Sequence, residues 1–150
     1  MQKNTADPGF PPANLLRRLM AIVYDSLALI AILMVAALPP VLIVGGAMPS
    51  ALLRIAFQLY LLGVLFLFFG WFWVHGGQTI GMRAWRLKVV GNDGNVLTWG
   101  GAGLRFLWAC FSFLVFGLGY LWAIVDPNGC TWHDHLSRSR VLLLPKQEKS

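Results

Sequence analysis

The sequence predicts an all-α membrane protein: a bundle of three apolar helical segments, the third either spanning or re-entrant, with a small interfacial β-hairpin. Two observations carry this prediction. Hydrophobic residues make up 57% of the 150 residues and charged residues only 12%, whereas roughly a quarter of a soluble domain is charged. Residues 19–38, 55–74 and 106–125 are apolar runs, each with the ~20 residues that a helix needs to cross the hydrocarbon core.

The two ends of the chain are polar and rich in turn-forming residues. Residues 1–16 contain several prolines and a glycine and predict a flexible tail. Residues 17–144 make up the predicted membrane domain, and residues 145–150 form a second tail. The first apolar run begins only after Arg18 and is longer than the apolar part of a signal peptide, so we expect an uncleaved first helix.

The first two apolar runs predict two membrane helices. Residues 19–38 have Asp25 as their only charge, and Pro39 and Pro40 follow them. Because proline lacks a backbone donor and clashes with the preceding turn, we expect the first helix to end there. Residues 55–74 carry no charge and end in a cluster of aromatic side chains. Aromatic residues favour the headgroup boundary, so this end is predicted to lie at a membrane surface.

The segment between the second and third runs predicts the β-hairpin. Residues 86–90 alternate in polarity, residues 92–95 read Asn-Asp-Gly-Asn, which is a strong turn signal, and residues 96–99 can return as the second strand. Residues 140–144 are also strand-like. If they lie on the same side of the membrane, they can join this hairpin.

Lysine and arginine residues set the expected topology, because short cytoplasmic loops favour them. Lys3, Arg17 and Arg18 put the N-terminus in the cytoplasm. Three simple spans would leave seven basic residues inside and five outside, whereas a third segment that bends near Gly117 and returns would leave eleven inside and one outside. Length favours three spans, which we take as the first prediction, with re-entry as the rival. We expect a multi-pass protein of a bacterial inner membrane.

Asp25 is the first candidate functional residue, because an ionised carboxylate inside a membrane helix costs at least ~2.5–3.5 kcal/mol. Arg18 lies seven residues earlier, on the same helical face and about 10 Å away along the axis. Asp25 can therefore be an ion or proton site with Arg18 as its electrostatic partner. Alternatively, it is a buried carboxylate that locks its helix to a basic group such as Arg83 or Arg105.

A second polar cluster, His133-Asp134-His135, follows the third run. Two histidines and an aspartate can bind a metal ion, but an interfacial polar turn is the simpler interpretation, because no further His or Cys cluster completes a site. Candidate ion-pair partners of Asp134 are Arg17, Arg18 and Arg138. The sequence contains no nucleophile–base pair, so we expect neither an enzyme nor a metal or cofactor site.

Three stretches together resemble one protein family. They are RRLMAIVYD at residues 17–25, GQTIGMR with LKVV and DG within residues 77–94, and DP, WHDHL and RV within residues 126–141. In this order they resemble the RDD family of bacterial membrane proteins, named for one arginine and two aspartates. The resemblance covers residues 17–144, nearly the whole chain.

The resemblance assigns roles to a few residues. It implies that Arg18 or Arg17 is the arginine of the family name and that Asp25 is its first aspartate. The second aspartate is Asp134 or, alternatively, Asp126. Trp132 and His135 depart from the family pattern, which has a leucine and a basic residue at these positions.

Two functions are compatible with these observations. Transport, including cation/proton exchange, has been proposed for the RDD family, and Asp25 would be its titrating site, with an oligomer needed because three helices line a pathway poorly. The alternative is a non-catalytic accessory or assembly subunit of a larger inner-membrane complex. The net charge of +6 predicts attraction to anionic headgroups rather than binding to nucleic acid.

Overall fold

The computed structural model describes residues 10–46, 49–126 and 129–145, and most of them are helical. The elements in chain order are α1 (Leu15–Val44), α2 (Ala51–His75), α3 (Ile80–Ala84), β1 (Leu87–Gly91), α4 (Trp99–Leu114), α5 (Leu118–Val125), α6 (Trp132–Leu136) and β2 (Ser139–Leu143). Among the described residues, α1 and α2 are each long and apolar enough to cross a membrane, and α4 with α5 would be a third span if counted together. The all-α membrane fold is therefore confirmed.

The first helix is longer than predicted. The side chain of Asn14 caps its start by accepting a hydrogen bond from the amide of Arg17, and the helix runs through Pro39 and Pro40 to Val44. The prediction that the two prolines end it was wrong. Because residues 41–44 are apolar, continuing the helix keeps their backbone groups hydrogen-bonded away from water, and prolines are tolerated in membrane helices. Gly45, in the left-handed conformation with φ 76°, ends it instead.

The predicted hairpin of residues 86–90 with residues 96–99 was also wrong. β1 pairs antiparallel with β2, from Leu87 opposite Leu143 to Gly91 opposite Ser139. The predicted turn does form, because the amide of Gly91 donates to the carbonyl of Asn95 at 2.8 Å. The chain then leaves the sheet, since the Thr98 hydroxyl caps α4. The strand-like residues 140–144 supply the partner strand, as expected for the re-entrant arrangement.

The third apolar run forms two helices, α4 and α5, an arrangement that fits either a broken span or a re-entrant segment. α4 and α5 meet at an angle of 98°, at a turn where Phe116 and Gly117 both have positive φ. Gly119 permits the fold-back, because a Cβ at that position would lie 2.1 Å from the Ser112 hydroxyl oxygen. The bend falls at the glycines where the re-entrant alternative placed it.

The buried core lies at one end of the molecule, around the two strands and the short helices. Its main apolar members are Ala13, Ala21, Trp73, Met82, Leu87, Val89, Leu97, Ala102, Phe106 and Val141. In α1, only Arg18, Ala21 and Asp25 are buried. The rest of α1 and most of α2 expose apolar side chains, which is the arrangement expected of helices that face lipid.

Candidate functional site

Asp25 is buried, with 4% of its surface exposed, and neutral groups satisfy its carboxylate. The Thr79 hydroxyl donates to Oδ2 at 2.5 Å, and the Gly81 amide donates to Oδ1 at 2.8 Å. Thr79 is also the N-cap of α3, where its oxygen accepts from the Met82 amide at 3.2 Å. The start of α3 is therefore held against α1 by the Asp25 carboxylate.

Glycine at position 81 makes this contact sterically feasible. A Cβ there would lie 2.1 Å from the carbonyl oxygen of Ala21, closer than nonbonded atoms can approach. Ala21 lies one helical turn before Asp25 and is itself buried. The short side chains of Ala21 and Gly81 allow α3 to approach α1 until its amide reaches the carboxylate.

The two arginines considered as lock partners for Asp25 lie elsewhere. Arg83 is exposed, and Arg105 contacts Asp134 instead. Arg18, predicted as the electrostatic partner of Asp25, also contacts Asp134. Within the described residues, the structure gives Asp25 no ion pair, so the hypothesis of a lock to Arg83 or Arg105 was wrong in its partners.

Asp134 occupies a different environment, between two arginines. Arg18 Nη1 lies 2.5 Å from Oδ2, and Arg105 Nη1 lies 2.5 Å from Oδ1. Asp134 and Thr131 also form a reciprocal capping box at the start of α6. Asp134 is fully buried, and burial alone would raise its pKa. The guanidinium of Arg105, and then that of Arg18, outweigh this effect and hold the pKa of Asp134 well below its usual range.

Each arginine of this cluster has further contacts. Arg18 donates from Nε to the carbonyl of Ala13 at 3.1 Å. Arg105 donates to the Ser139 hydroxyl at 2.6 Å and lies 5.2 Å from the ring centre of Trp73. The cluster thus connects the first turn of α1, the middle of α4, the start of α6 and the start of β2. The chain before and after the α4–α5 bend meets here, at the same end of α1.

The two histidines beside Asp134 have different surroundings. His133 is buried, its Nε2 lies 2.9 Å from the Thr131 hydroxyl, and its ring packs 4.7 Å from that of Tyr120. Burial, followed by the charge of Arg105, lowers the pKa of His133 to about 3, so the ring is neutral. His135 is exposed and contacts Asp126 at 3.0 Å. Among the described residues, only His135 of the two joins a group of three potential metal ligands, so the structure does not support the set His133, Asp134 and His135.

The remaining candidates from the sequence are Arg17 and Asp126. Arg17 donates its amide to the Asn14 side chain, and within the described residues Arg18, rather than Arg17, pairs with Asp134. Asp126 accepts from the Cys130 amide at 2.8 Å and lies beside His135. Of the two candidates for the second aspartate, Asp134 is therefore the one that contacts Arg18.

The sequence alone did not identify Thr79 and Gly81 as partners of Asp25, or Ser139 as a member of the Asp134 cluster. No local pattern marks Gly81 or Ser139, because their roles depend on contacts with distant segments. One signal was available: Thr131-x-x-Asp134 has the spacing of a capping box, which predicts that α6 begins at Trp132 and that Asp134 points back toward Thr131.

A cavity of about 700 Å³ lies between α1, α2 and the α4–α5 segment. Its wall is mostly apolar, and its polar lining residues are Arg18, Asp25, Ser26, Thr79, Arg105, Tyr120, Thr131 and His133. Asp25 lies deeper along α1 than Arg18, by about 10 Å. Residues of both aspartate clusters therefore line the same cavity. Asp25 accepts hydrogen bonds from neutral donors, whereas Asp134 accepts them from two guanidinium groups.

Comparison with known proteins gives one match. No curated protein and no solved structure matches the chain significantly. The family model described as the RDD family matches residues 12–138, which include Arg18, Asp25, Arg105 and Asp134 and make up most of the chain. The chain belongs to the RDD family.

Proposed function

We propose that this RDD-family protein exchanges protons or cations across the membrane and that Asp25 is the group that binds them. One observation carries the proposal: Asp25 is a buried carboxylate on the wall of a cavity. Among the described residues, its hydrogen-bond donors are the neutral groups of Thr79 and Gly81 rather than a cationic side chain. Ionisable residues within membrane helices are costly and typically mark ion or proton pathways. A carboxylate with neutral partners can exchange a proton or cation without breaking an ion pair.

The atoms around Asp25 suit such an exchange. Asp25, Thr79 and Ser26 all line the cavity, and hard cations prefer oxygen ligands of the kind that their side chains carry. The Ser26 hydroxyl donates to the carbonyl of Ile22 at 2.7 Å, so its lone pairs can still accept or coordinate. A change in the charge of Asp25 would directly alter the hydrogen bond of the Thr79 hydroxyl, because this hydroxyl donates to the carboxylate.

The proposal includes a membrane topology in which α1 and α2 cross and the α4–α5 segment re-enters. Arg18 in the first turn of α1, Arg105 in α4 and Asp134 after α5 meet in one cluster, which supports a third segment that starts and ends on the same side. Eleven of the twelve basic residues would then be cytoplasmic, together with the N-terminus, in a bacterial inner membrane. Arg18 would act as a gate at the cytoplasmic end of the cavity.

The exchange would take place in an oligomer. Leu42 and Ile43 in α1 are 74% and 84% exposed, and Leu52 in α2 is 77% exposed. These faces are apolar and can pack against a second copy as well as against lipid. A homo-oligomer would close the open side of the cavity, which three helical segments leave incomplete.

Reconstitution into liposomes tests the proposal. Purified protein is placed in vesicles that contain a pH-sensitive dye, and internal pH is followed after an external pulse of Na⁺, K⁺ or Li⁺. We expect the wild type to exchange protons for at least one cation and Asp25→Asn to show no exchange above empty vesicles. Asp93→Asn is the matched control, because Asp93 is exposed in the β1–α4 turn. Unchanged exchange by Asp25→Asn would refute the proposed site.

The accessory-subunit function is the second candidate, and the same exposed apolar faces favour it. A small protein with two exposed helices can pack against a larger membrane complex. Purification in a mild detergent distinguishes the two: a homo-oligomer that is active in liposomes supports exchange. A stoichiometric partner together with inactive vesicles supports the accessory function.

A further inference from the structure

Three potential metal-ligand side chains converge beside the loop between α5 and α6. They are Asp126, Cys130 and His135, and the carboxylate oxygen, thiol sulfur and imidazole nitrogen all lie within 4.8 Å of one another. This group differs from the His133-Asp134-His135 set considered in the sequence, because only His135 belongs to both. It also lies outside the cavity that contains Asp25.

The donor set has the chemistry of a zinc site. Zn²⁺ binds thiolate sulfur, imidazole nitrogen and carboxylate oxygen at about 2.0–2.3 Å, and a tetrahedral arrangement separates such ligands by about 3.3–3.8 Å. Oδ1 of Asp126 and Nε2 of His135 are 3.0 Å apart, at hydrogen-bond distance, so they would separate by a few tenths of an ångström around an ion. Because the three ligand atoms lie within 4.8 Å of one another, a movement of the thiol by about 1 Å toward the other two would complete the set.

Neighbouring contacts orient the ligands. Oδ2 of Asp126 accepts from the Cys130 amide at 2.8 Å, which fixes the carboxylate and leaves Oδ1 directed at His135. Such hydrogen bonds to a ligating carboxylate are typical of metal sites. His135 is 48% exposed in its side chain and Asp126 only 9%, so a metal ion would approach from the solvent side and retain a fourth position for water.

We propose that Asp126, Cys130 and His135 bind a divalent zinc-like metal ion. Binding replaces the thiol proton of Cys130, which passes to solvent, and it replaces the hydrogen bond between His135 and Asp126. The proton leaves Nε2 of His135 to solvent and Nδ1 takes one up, so the imidazole stays neutral. One dication then meets one thiolate and one carboxylate, and the site is neutral overall. The ion would fasten the end of α5 to α6, and it would hold the returning chain against the Asp134 cluster. It would not take part in exchange at Asp25.

Cobalt binding tests the site directly. Full-length protein without a polyhistidine tag is purified in detergent under reducing conditions and titrated with Co²⁺. We expect one ion per chain, intense visible bands from tetrahedral Co²⁺, a sulfur-to-cobalt charge-transfer band, and displacement by Zn²⁺. Cys130→Ser should abolish the charge-transfer band, and His135→Asn should weaken affinity by more than about 100-fold, since even outer-sphere changes cost 10–100-fold.

Two matched variants distinguish this site from metal binding elsewhere on the chain. Cys110→Ser removes the other cysteine and should leave the spectrum unchanged, and Asp93→Asn, at an exposed aspartate, should bind cobalt as the wild type does. A wild type that gives no charge-transfer band, or equal binding by Cys130→Ser and His135→Asn, would overturn the proposal, because the metal would then be adventitious.

A second measurement uses only the wild type, so it does not depend on whether a variant folds. Iodoacetamide alkylation of each cysteine is followed by mass spectrometry with and without Zn²⁺. We expect Zn²⁺ to slow alkylation of Cys130 at least tenfold, a chelator to restore it, and the rate at Cys110 to stay constant. Equal rates at Cys130 with and without Zn²⁺ would contradict the site.

Discussion

Asp25 and Asp134 are both buried aspartates of the same protein, yet their partners differ in kind. Asp134 lies between Arg18 and Arg105, at 2.5 Å from each, and connects four elements. Asp25 contacts only the Thr79 hydroxyl and the Gly81 amide among the described polar groups. We infer from this difference that the fold requires the charge of Asp134, whereas under the proposed exchange Asp25 changes its charge.

The number of cationic groups that each aspartate neutralises supports these different roles. Removing one partner of a buried ion pair leaves an uncompensated charge, which is strongly destabilising. Asp134 compensates two guanidiniums at once, so its loss affects both. Loss of the charge at Asp25 leaves two neutral donors, and an amide oxygen can still accept from one of them. Stability should therefore respond mainly to Asp134, and function to Asp25.

The largest effect is expected for Asp134→Asn. The substitution leaves Arg18 and Arg105 buried without a carboxylate, so we expect a loss of about 3–5 kcal/mol in the free energy of unfolding. Thermal unfolding in detergent, followed by size-exclusion chromatography of the heated samples, measures it. Asp93→Asn is the control at an exposed aspartate. A melting temperature of Asp134→Asn equal to that of the control would remove the basis of the comparison.

A smaller effect is expected when the pH falls. His133 has a pKa of about 3 in the folded protein against an ordinary value of 6.5, so the unfolded chain binds the proton more readily. The resulting stability is complete above pH 6.5 and is lost as the pH falls toward 3. Between pH 6.5 and pH 5 the loss should be about 2 kcal/mol.

Unfolding at a series of pH values tests this prediction. His133→Gln should flatten the dependence in that window, whereas His75→Gln, which removes an exposed histidine, should keep the wild-type profile. A wild-type stability that stays constant from pH 6.5 to pH 5 would show that the ring of His133 is not held neutral by its surroundings.

The third effect concerns the Asp25 side of the comparison. Gly81→Ala introduces a Cβ 2.1 Å from the carbonyl oxygen of Ala21, which forces α3 away from α1 at a cost of about 1–3 kcal/mol. Gly63→Ala is the matched control, because nothing lies within 4 Å of its Cβ position. Equal melting temperatures of the two variants would mean that α3 is not held closely against Asp25.

The sequence predicted the elements that depend on local composition. The two long helices follow from the apolar runs, and the family follows from three short motifs. Pro39 and Pro40 misled the prediction, because the rule that prolines end helices applies less strictly to an apolar segment in lipid. The length of the third run left a span and a re-entrant segment both open, and the bend lies at Gly117, where the re-entrant alternative put it.

The contacts that define the two aspartate clusters depend on the tertiary structure. Arg18 and Asp134 are 116 residues apart in sequence, and the sequence offered three arginines as partners without a means to choose. Arg105 was a candidate ion-pair partner of Asp25 because the sequence does not show which segments the folded chain brings next to α1. β1 was paired with the nearest candidate strand, whereas the actual partner, β2, lies beyond the α4–α5 segment.

The comparison of the two aspartates is tested most directly by measuring stability and cation-driven proton flux together for Asp25→Asn and Asp134→Asn. We expect Asp25→Asn to fold with a melting temperature near that of the wild type and to show no flux. Asp134→Asn should unfold at a much lower temperature. Wild-type flux in a well-folded Asp25→Asn, or a well-folded Asp134→Asn without any loss of stability, would contradict this expectation.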